Sequence, residues 1–261
     1  MSTVKNEKGN SGSSIAGLRR LNLFAAAFFS LQVVVLLLLA EPVSLPVNGS
    51  YLVGPPGAAE YGSTNLFDLR IDLLVALFLA LAAFDHLTVG TFARDRYEKN
   101  IEQGQNPFRW YEYSISASVM IVLIAMLTGV NDAVALLAIF GTNAAMILFG
   151  LAMERANAGR EQVDWAPFIY GCVIGAVPWI AIVIQFVLSE TNASGAPGFV
   201  YGIFISLFLL FNCFAVNMWL TYRRRGRWAD PLFAERVYVW LSISAKTALA
   251  WQVYAGALAG S

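Results

Sequence analysis

Long apolar runs separated by short polar segments dominate the pattern of hydrophobic positions along this chain. Seven runs reach about 20 residues, the length that an α-helix needs to cross the hydrocarbon core of a bilayer. They are Leu21–Ala40, Ile71–Thr91, Phe108–Thr128, Asp132–Met153, Trp165–Leu188, Gly198–Tyr222 and Val237–Leu258. The pattern predicts an all-α integral membrane protein in which seven transmembrane helices form one bundle.

The segment between the first two runs has a different pattern. Residues 41–70 are rich in glycine and proline, and Asn48-Gly49 lies between short apolar stretches. That dipeptide favours a two-residue hairpin turn, and Gly54-Pro55-Pro56-Gly57 predicts a second turn. We therefore expect a β-hairpin that lies over one mouth of the bundle.

Composition and charge agree with a membrane protein and predict its orientation. The 261 residues are 58% hydrophobic and 13% charged, which is too apolar for an ordinary soluble domain. Fifteen lysines and arginines fall on one side of the runs, and only Arg70 falls on the other. By the positive-inside rule, residues 1–20 form a cytoplasmic tail, residues 21–258 the membrane domain, residues 41–70 an extracellular hairpin and residues 259–261 an extracellular C-terminus. The predicted location is the cell membrane.

A single lysine, Lys246, lies in the middle of the seventh run. An ammonium group at that depth costs at least about 2.5–3.5 kcal/mol, and Lys246 is too far from either end of the run to reach the interface. One interpretation is a lysine that pairs with a carboxylate to pack helices together. The other is a lysine that forms a Schiff base with an aldehyde, which burial favours because desolvation exposes the neutral, nucleophilic amine.

A protonated Schiff base in hydrocarbon requires a nearby anion, and Glu112 near the start of the third run is the best candidate. Arg109 precedes it by three residues and Ser116 follows it by four, so that the three share a helical face. Ser242 precedes Lys246 by four residues and places a hydroxyl beside the nitrogen. The alternative is that Glu112 is an interfacial residue paired with Arg109.

Asp85 and His86 lie near the end of the second run, and His86 is the one histidine of the chain. An imidazole titrates near neutral pH, so His86 is a candidate proton acceptor, and Asp85 is another. Adjacent residues do not share a helical face, so we expect one to point into the bundle and the other toward lipid headgroups. The alternative is a polar cap at the end of a helix.

These runs and side chains resemble the heliorhodopsins, retinal-binding membrane proteins that are distantly related to the type-1 microbial rhodopsins. The resemblance covers nearly the whole chain. It is carried by GSYLVGPPG after the first run, FRWYEYSISASVMIVLIA in the third, VALLAIFGTNAAMILFG in the fourth, GAVPWI in the fifth, PGFVYGIFISLFLLFN in the sixth and SISAKTALAWQ in the seventh. The cytoplasmic N-terminus that the charges predict also matches that family.

The resemblance implies a cofactor and a set of site residues. Lys246 would carry all-trans retinal as a protonated Schiff base, with Glu112 as its counterion and Ser242 beside it. The retinal pocket would map to Asn143, Met146, Trp179, Phe211 and Trp251, and such apolar and aromatic walls suit a polyene. The family has inward-facing histidines in its first two helices. Here the first run contains no histidine, and Asp85 takes the position in the second.

The implied function is a light sensor, in which photoisomerisation of retinal alters the cytoplasmic face and an unknown cytoplasmic partner reads the change. A light-gated proton or ion channel, or a transporter, is the alternative. Outward proton pumps among the related rhodopsins carry a carboxylate eleven residues beyond the counterion, and this chain has Leu123 there, which favours sensing. No catalytic, metal-ligand or nucleotide motif points to an enzyme or to a nucleic-acid partner.

Small residues in the fourth run also predict an assembly. Gly141, Ala144 and Ala145 would let another helix approach closely. The resemblance implies a homodimer through the fourth and fifth runs, and the hairpin could reach across to the second copy.

Overall fold

The computed structural model describes residues 3–258, with side chains from residue 15 onward. Those residues form eight α-helices and a two-stranded antiparallel sheet. In chain order the elements are α1 (Thr3–Leu39), β1 (Ser44–Leu52), β2 (Tyr61–Arg70), α2 (Ile71–Gly90), α3 (Arg94–Glu102), α4 (Pro107–Leu127), α5 (Ala133–Ala156), α6 (Ala166–Asn192), α7 (Gly198–Tyr222) and α8 (Pro231–Val253). A 3₁₀ turn (Gly226–Ala229) precedes α8, and a π-helical turn (Tyr254–Leu258) follows it.

Several helices begin at a capping side chain. Asn106, Asp132 and Asp230 each accept a hydrogen bond from a backbone N–H in the first turn of α4, α5 and α8 respectively. Pro107 and Pro231 open α4 and α8, where a missing N–H leaves no intrahelical bond unmade. Capping thus sets the starts of the two helices that carry the candidate lysine and its anion.

Six of the described helices are long and apolar enough to cross a membrane. They are the Ile15–Leu39 part of α1 together with α2, α4, α5, α6 and α7. The helix that carries Lys246, α8, is not among them, because its lysine, hydroxyl and amide side chains lower its hydropathy. Many large apolar side chains on the other helices are exposed, as lipid-facing residues are. The chain is therefore a mostly helical, multi-pass membrane protein.

The helices extend beyond several predicted runs. The first begins at Thr3 and continues through the predicted tail, and α3 is a short helix that the hydrophobic pattern did not predict. More important for the site, α5 continues to Ala156 and α8 begins at Pro231, before the seventh run. The pattern missed these turns because they carry charged residues, and in a bundle interior such residues can be paired with one another.

The predicted hairpin is present, but its turn lies elsewhere. The predicted turn at Asn48-Gly49 was wrong: this dipeptide lies inside β1, where Gly49 pairs with Thr64 beside a register shift. The chain reverses around Gly54-Pro55-Pro56-Gly57, where both glycines have a positive φ. A turn at Gly49 would leave only a few residues to pair on each side, whereas the later turn lets all nine residues of β1 pair with β2.

The helices form a bundle around a shared core. Helix α1 packs on α2 and α8, α4 packs on α2 and α5, α6 packs on α5, and α7 packs on α8. Between α6 and α7 the contacts are largely aromatic, with Trp179 against Phe204, Phe208 and Phe211. The hairpin is fixed at one end of the bundle, where the backbone N–H of Asn48 donates to the carbonyl of Asn131 over 2.8 Å.

Candidate functional site

Lys246 lies in the middle of the bundle and is 3% exposed. Its Nζ is 3.0 Å from both carboxylate oxygens of Glu112 and 3.3 Å from Oγ of Ser242. The ring of Tyr113 lies 4.8 Å from the same nitrogen. The structure thus brings together the lysine, the carboxylate and the hydroxyl that the sequence singled out.

The alternative pairing of Glu112 with Arg109 does not occur. Arg109 points to a different part of the bundle, where Nη1 donates to Glu235 and Nη2 to Glu154, both over 2.5 Å. Glu112 therefore pairs with Lys246, and the side chain of Glu112 is only 6% exposed. Such a buried pair stays charged only because each partner compensates the other, so loss of either one costs several kcal/mol.

A cavity of about 610 Å³ runs along one side of Lys246. Its walls come from α4, α5, α6, α7 and α8 and are almost entirely apolar and aromatic. Among the predicted pocket residues, Met146, Trp179, Phe211 and Ser242 line it, together with Lys246 itself. The cavity therefore places a buried amine in contact with a space that suits an apolar ligand.

Three other predicted site residues lie outside the cavity wall. Asn143 donates from Nδ2 to Oγ of Ser118 over 3.0 Å, between α5 and α4. The indole N–H of Trp251 donates to Gln32 on α1 over 3.0 Å, so the ring lies on the far side of α8 from the cavity. Ser116 is fully buried, and its hydroxyl has no hydrogen-bond partner among the described residues.

Asp85 and His86 both face a second, much smaller cavity. Its volume of about 10 Å³ is close to the room that a single water molecule needs. The expectation that one of the two points toward lipid was wrong, because both side chains line this cavity, which lies where α1, α2, α3, α4 and α8 meet. His86 Nδ1 lies 2.7 Å from Oδ1 of Asn22, so this nitrogen is the donor and carries the proton.

Asn22 links this histidine to α3. The Nδ2 of Asn22 donates to the hydroxyl oxygen of Tyr97 over 3.4 Å, and Tyr97 is buried. Burial raises the pKa of Tyr97 far above its ordinary value, so the hydroxyl stays protonated and remains a hydrogen-bond donor. The first helix thus contributes an asparagine, where the resemblance would have a histidine, to the polar contacts of His86.

A buried ion cluster at the same end of the bundle was missed by the sequence reasoning. It consists of Arg109, Glu154 and Glu235, and the guanidinium carbon lies 3.8 Å from the ring centroid of Tyr238 and 4.6 Å from that of Trp110. Both glutamates fell just outside the predicted runs and would have been read as loop charges. The available signal was the capping of α8 at Asp230, which places Glu235 in the second turn of the helix.

The sequence profile of the heliorhodopsin family matches residues 18–258. The chain belongs to the heliorhodopsin family. The fold is similar to the transmembrane domain of Salpingoeca rosetta rhodopsin phosphodiesterase, with a TM-score of 0.65 and 11% identity over 98% of this chain and 88% of that chain. It is also similar to cyanorhodopsin from the cyanobacterium Tolypothrix sp., with a TM-score of 0.55 and 14% identity over 94% of each chain. At these identities the likeness concerns the fold alone. No curated protein matches the chain.

Family membership and fold make this heliorhodopsin a retinal-binding, light-responsive membrane protein. The cavity fits that cofactor: its volume lies inside the range of about 300–1,000 Å³ that is typical of small-molecule sites, and its lining is apolar. Among the described residues, Lys246 is the one buried amine on its wall. Residues 3–258 form the helices and the hairpin of this heliorhodopsin and hold no separate enzyme domain.

Proposed function

We propose that this protein is a light sensor in which Lys246 holds all-trans retinal through a protonated Schiff base and Glu112 is the counterion. The observation that carries the proposal is the position of Lys246 Nζ, which faces both oxygens of Glu112 at 3.0 Å and lies on the wall of the apolar cavity. A lysine that only packed helices would need the carboxylate but not the cavity.

The side chains around the cavity would hold and orient the cofactor. Retinal, when bound, supplies absorption of visible light and isomerisation of its chain. Trp179 and Phe211 line the cavity beside Met146, and their ring centroids lie 5.7 Å apart in a T-shaped contact. The two rings would thus form one rigid aromatic wall for a polyene. Ser242 accepts a hydrogen bond from Lys246 Nζ and keeps this nitrogen directed toward Glu112.

The polar groups at one end of the bundle would receive the proton of Lys246 Nζ after illumination. Asp85 and His86 are the candidates, since both line the small cavity on that side of Tyr113. His86 holds its own proton on Nδ1 against Asn22, so Nε2 is the nitrogen that can accept another. Asp85 forms no ion pair with a described residue and can accept through a carboxylate oxygen.

The opposite half of the bundle favours sensing over transport. Beyond Ser118, α4 continues as Val119–Leu127 without a polar side chain, and Ile121, Leu123 and Ile124 are fully buried. Along α4, a proton that leaves Lys246 Nζ therefore meets no group that could receive it on the hairpin side. It would return by the same side, and the protein would change its conformation without moving an ion.

We also propose the membrane arrangement and the assembly. With α8 as a seventh crossing, the fifteen basic residues place the N-terminus in the cytoplasm and the hairpin outside. Gly141, on the exposed face of α5, and the exposed Tyr61 and Phe67 of the hairpin would contact a second copy. An unidentified cytoplasmic protein would read the light-induced change.

Addition of all-trans retinal to the purified, retinal-free protein tests the proposal. We expect a visible absorption band that light bleaches or shifts. Lys246→Ala and Lys246→Arg should both fold and stay colourless, because neither side chain can form the imine. Ser118→Ala is a matched control, since it removes a buried polar group that lies outside the cavity wall, and it should keep the colour. A visible band in either Lys246 variant would show that retinal is attached elsewhere.

A further inference from the structure

Four exposed arginines lie within five positions between α7 and α8, at the end of the bundle opposite the hairpin. These residues of the arginine turn (residues 223–227) are Arg223, Arg224, Arg225 and Arg227. Among the described side chains, no carboxylate lies within ion-pair distance of them. The next carboxylate along the chain, Asp230, accepts from the backbone N–H of Leu232 as the cap of α8. Four uncompensated charges so close together repel one another, and a bound anion would relieve that repulsion.

Aromatic rings hold two of the four guanidinium groups in place without neutralising them. The guanidinium carbon of Arg223 lies 5.4 Å from the ring centroid of Trp165 and 5.8 Å from that of Trp219. The guanidinium carbon of Arg227 lies 4.5 Å from the ring centroid of Phe233 on α8. A guanidinium held against a ring keeps N–H donors at the edge of its plane, and these can bind two oxygens of a phosphate at once.

The backbone at Arg224 is an independent sign of a role for its side chain. Its φ of 47° lies in the left-handed region, and no other non-glycine residue in the described part of the chain has a positive φ. Arg224 follows the C-cap of α7, and the N–H of Arg225 donates to the carbonyl of Leu220 over 3.4 Å, an ending that glycine ordinarily provides. A residue with a Cβ is disfavoured there, so the fold alone favours glycine and the charged side chain serves another purpose.

The arginine turn adjoins two lipid-facing helix surfaces. Ile169 and Tyr170 on α6 and Val216 on α7 are all more than half exposed. Val216 precedes Arg223 by seven positions, which corresponds to about 10 Å along a helix. Trp165, which contacts Arg223, lies at the start of α6, as tryptophans do at the boundary between hydrocarbon and headgroups. The four guanidinium groups therefore lie at the depth of lipid phosphates.

We propose that the arginine turn binds the phosphate of an anionic phospholipid whose acyl chains lie along the exposed faces of α6 and α7. An acidic protein would meet the same charges but would not use the apolar surfaces beside them. A zwitterionic lipid brings its own cation with its phosphate, so it gains less from uncompensated arginines. The site involves neither Lys246 nor retinal, and it is therefore independent of the proposed function.

Native mass spectrometry of the purified protein in neutral detergent, with equal amounts of phosphatidylglycerol and phosphatidylcholine, tests the proposal. We expect the parent protein to retain phosphatidylglycerol preferentially, and we expect Arg224→Gly and Arg225→Gln each to lower that preference about fivefold. Arg94→Gln is the matched control, because it removes one positive charge that Glu98 already compensates, and it should keep the preference. Equal retention of the two lipids by the parent, or an equal loss of preference in Arg94→Gln, would overturn the proposal. Displacement of the bound lipid by inorganic phosphate would also overturn it, since the turn would then bind free phosphate without using the apolar surfaces.

The melting temperature of the same variants separates lipid binding from folding. Glycine adopts the left-handed conformation more readily, so Arg224→Gly should melt at the same temperature as the parent or higher in neutral detergent while its lipid preference falls. Arg224→Ala keeps the Cβ, so it should lose the lipid preference without any gain in melting temperature. A lower melting temperature for Arg224→Gly together with an unchanged lipid preference would show that Arg224 serves the fold alone, which would contradict the proposal.

Discussion

At the scale of single residues, the site depends on one buried ion pair whose partners come from distant parts of the sequence. Lys246 and Glu112 are separated by 134 positions and meet at 3.0 Å with 4% and 6% of their side chains exposed. An isolated charge in such a place would be neutralised or would destabilise the fold, so each residue maintains the charge of the other. This mutual dependence makes Glu112 the most informative residue to change.

We expect Glu112→Gln to alter the colour of the retinal-loaded protein. Without the anion, the proton on Lys246 Nζ is lost more readily or is retained by an anion from solution. Absorption near neutral pH should therefore move to the near ultraviolet, or should depend on chloride. The measurement is an absorption titration with and without chloride. The control is Glu98→Gln on α3, where Glu98 is half-buried and pairs with Arg94 away from the cavity. A titration of Glu112→Gln that matched the parent would make Asp85 the first candidate for the counterion.

The residues that could be predicted from sequence were those with an unusual position in an apolar run. Lys246 was unmistakable because a lone lysine has no reason to lie at mid-membrane depth unless it is paired or modified. The cap at Asp230 places Glu235 in a helix, but no sequence signal shows that Glu154 and Glu235 face Arg109 and not the headgroups. The contact of Asn22 with His86 could not be predicted either, since the two residues lie 64 positions apart in the sequence.

At the scale of elements, glycine positions determine how closely two helices approach. Gly150 on α5 packs directly against Trp110 on α4. A Cβ atom at position 150 would lie within 2.7 Å of three carbons of the Trp110 ring. Gly141 on the same helix has open space around it. The two glycines therefore provide a matched pair, since Gly150 lies inside a contact between helices of the same chain and Gly141 does not.

We expect Gly150→Ala to lower the melting temperature of the protein in detergent. The added methyl group forces Trp110 or the α4–α5 contact to move, which costs about 1–3 kcal/mol. Gly141→Ala should be neutral or slightly stabilising, since alanine is favoured over glycine in a helix by about 0.5–1 kcal/mol. Loss of helical circular dichroism on heating measures both. Equal melting temperatures for the two variants would show that α4 and α5 are not packed as closely as the structure indicates.

The elements themselves were largely predictable, and their ends were not. Hydrophobic runs of about 20 residues predict helices, because a helix satisfies all backbone hydrogen bonds within one segment and the hydrocarbon core offers no water to satisfy them. The same rule says nothing about turns that continue into polar sequence, which is why α5 and α8 were predicted too short. At Asn48-Gly49 a strong local turn signal was overridden by the pairing of two longer strands.

At the scale of the whole molecule, α5 presents a face that the bundle does not cover. We expect a homodimer in which Gly141 and its small neighbours lie against a second copy, as close helix packing in lipid favours small residues. Gly141→Leu should shift chemical crosslinking in lipid vesicles from dimer toward monomer. Val216→Leu, at an exposed position on α7, serves as the control and should leave the dimer intact. Crosslinking that yields monomers alone for the parent protein would contradict the assembly.

The distribution of polar groups between the two halves of the bundle leads to the last prediction, which concerns transport. A pump needs a proton donor and a proton acceptor on opposite sides of Lys246 Nζ, with access that switches between them. In the hairpin-side half, α4 after Ser118 and α8 after Lys246 carry no carboxylate, histidine or further basic residue within their described spans. Asp85, His86 and Glu112 all lie toward the other end, so a proton that leaves the nitrogen can be held and returned on one side.

Illuminated cells that express the protein with retinal should therefore show no sustained change in external pH, with or without a protonophore, and no steady photocurrent. Cells that express Lys246→Ala give the baseline, and an established outward proton pump in the same cells shows that the assay responds. Asp85 is the feature most able to change this outcome, because it adds a carboxylate to the small cavity at the end of the bundle opposite the hairpin. A steady current that reverses with voltage would indicate a light-gated channel. A current that persists against the proton gradient would require a pump, and with it a route through Ile121, Leu123 and Ile124 that the packing of these residues does not provide.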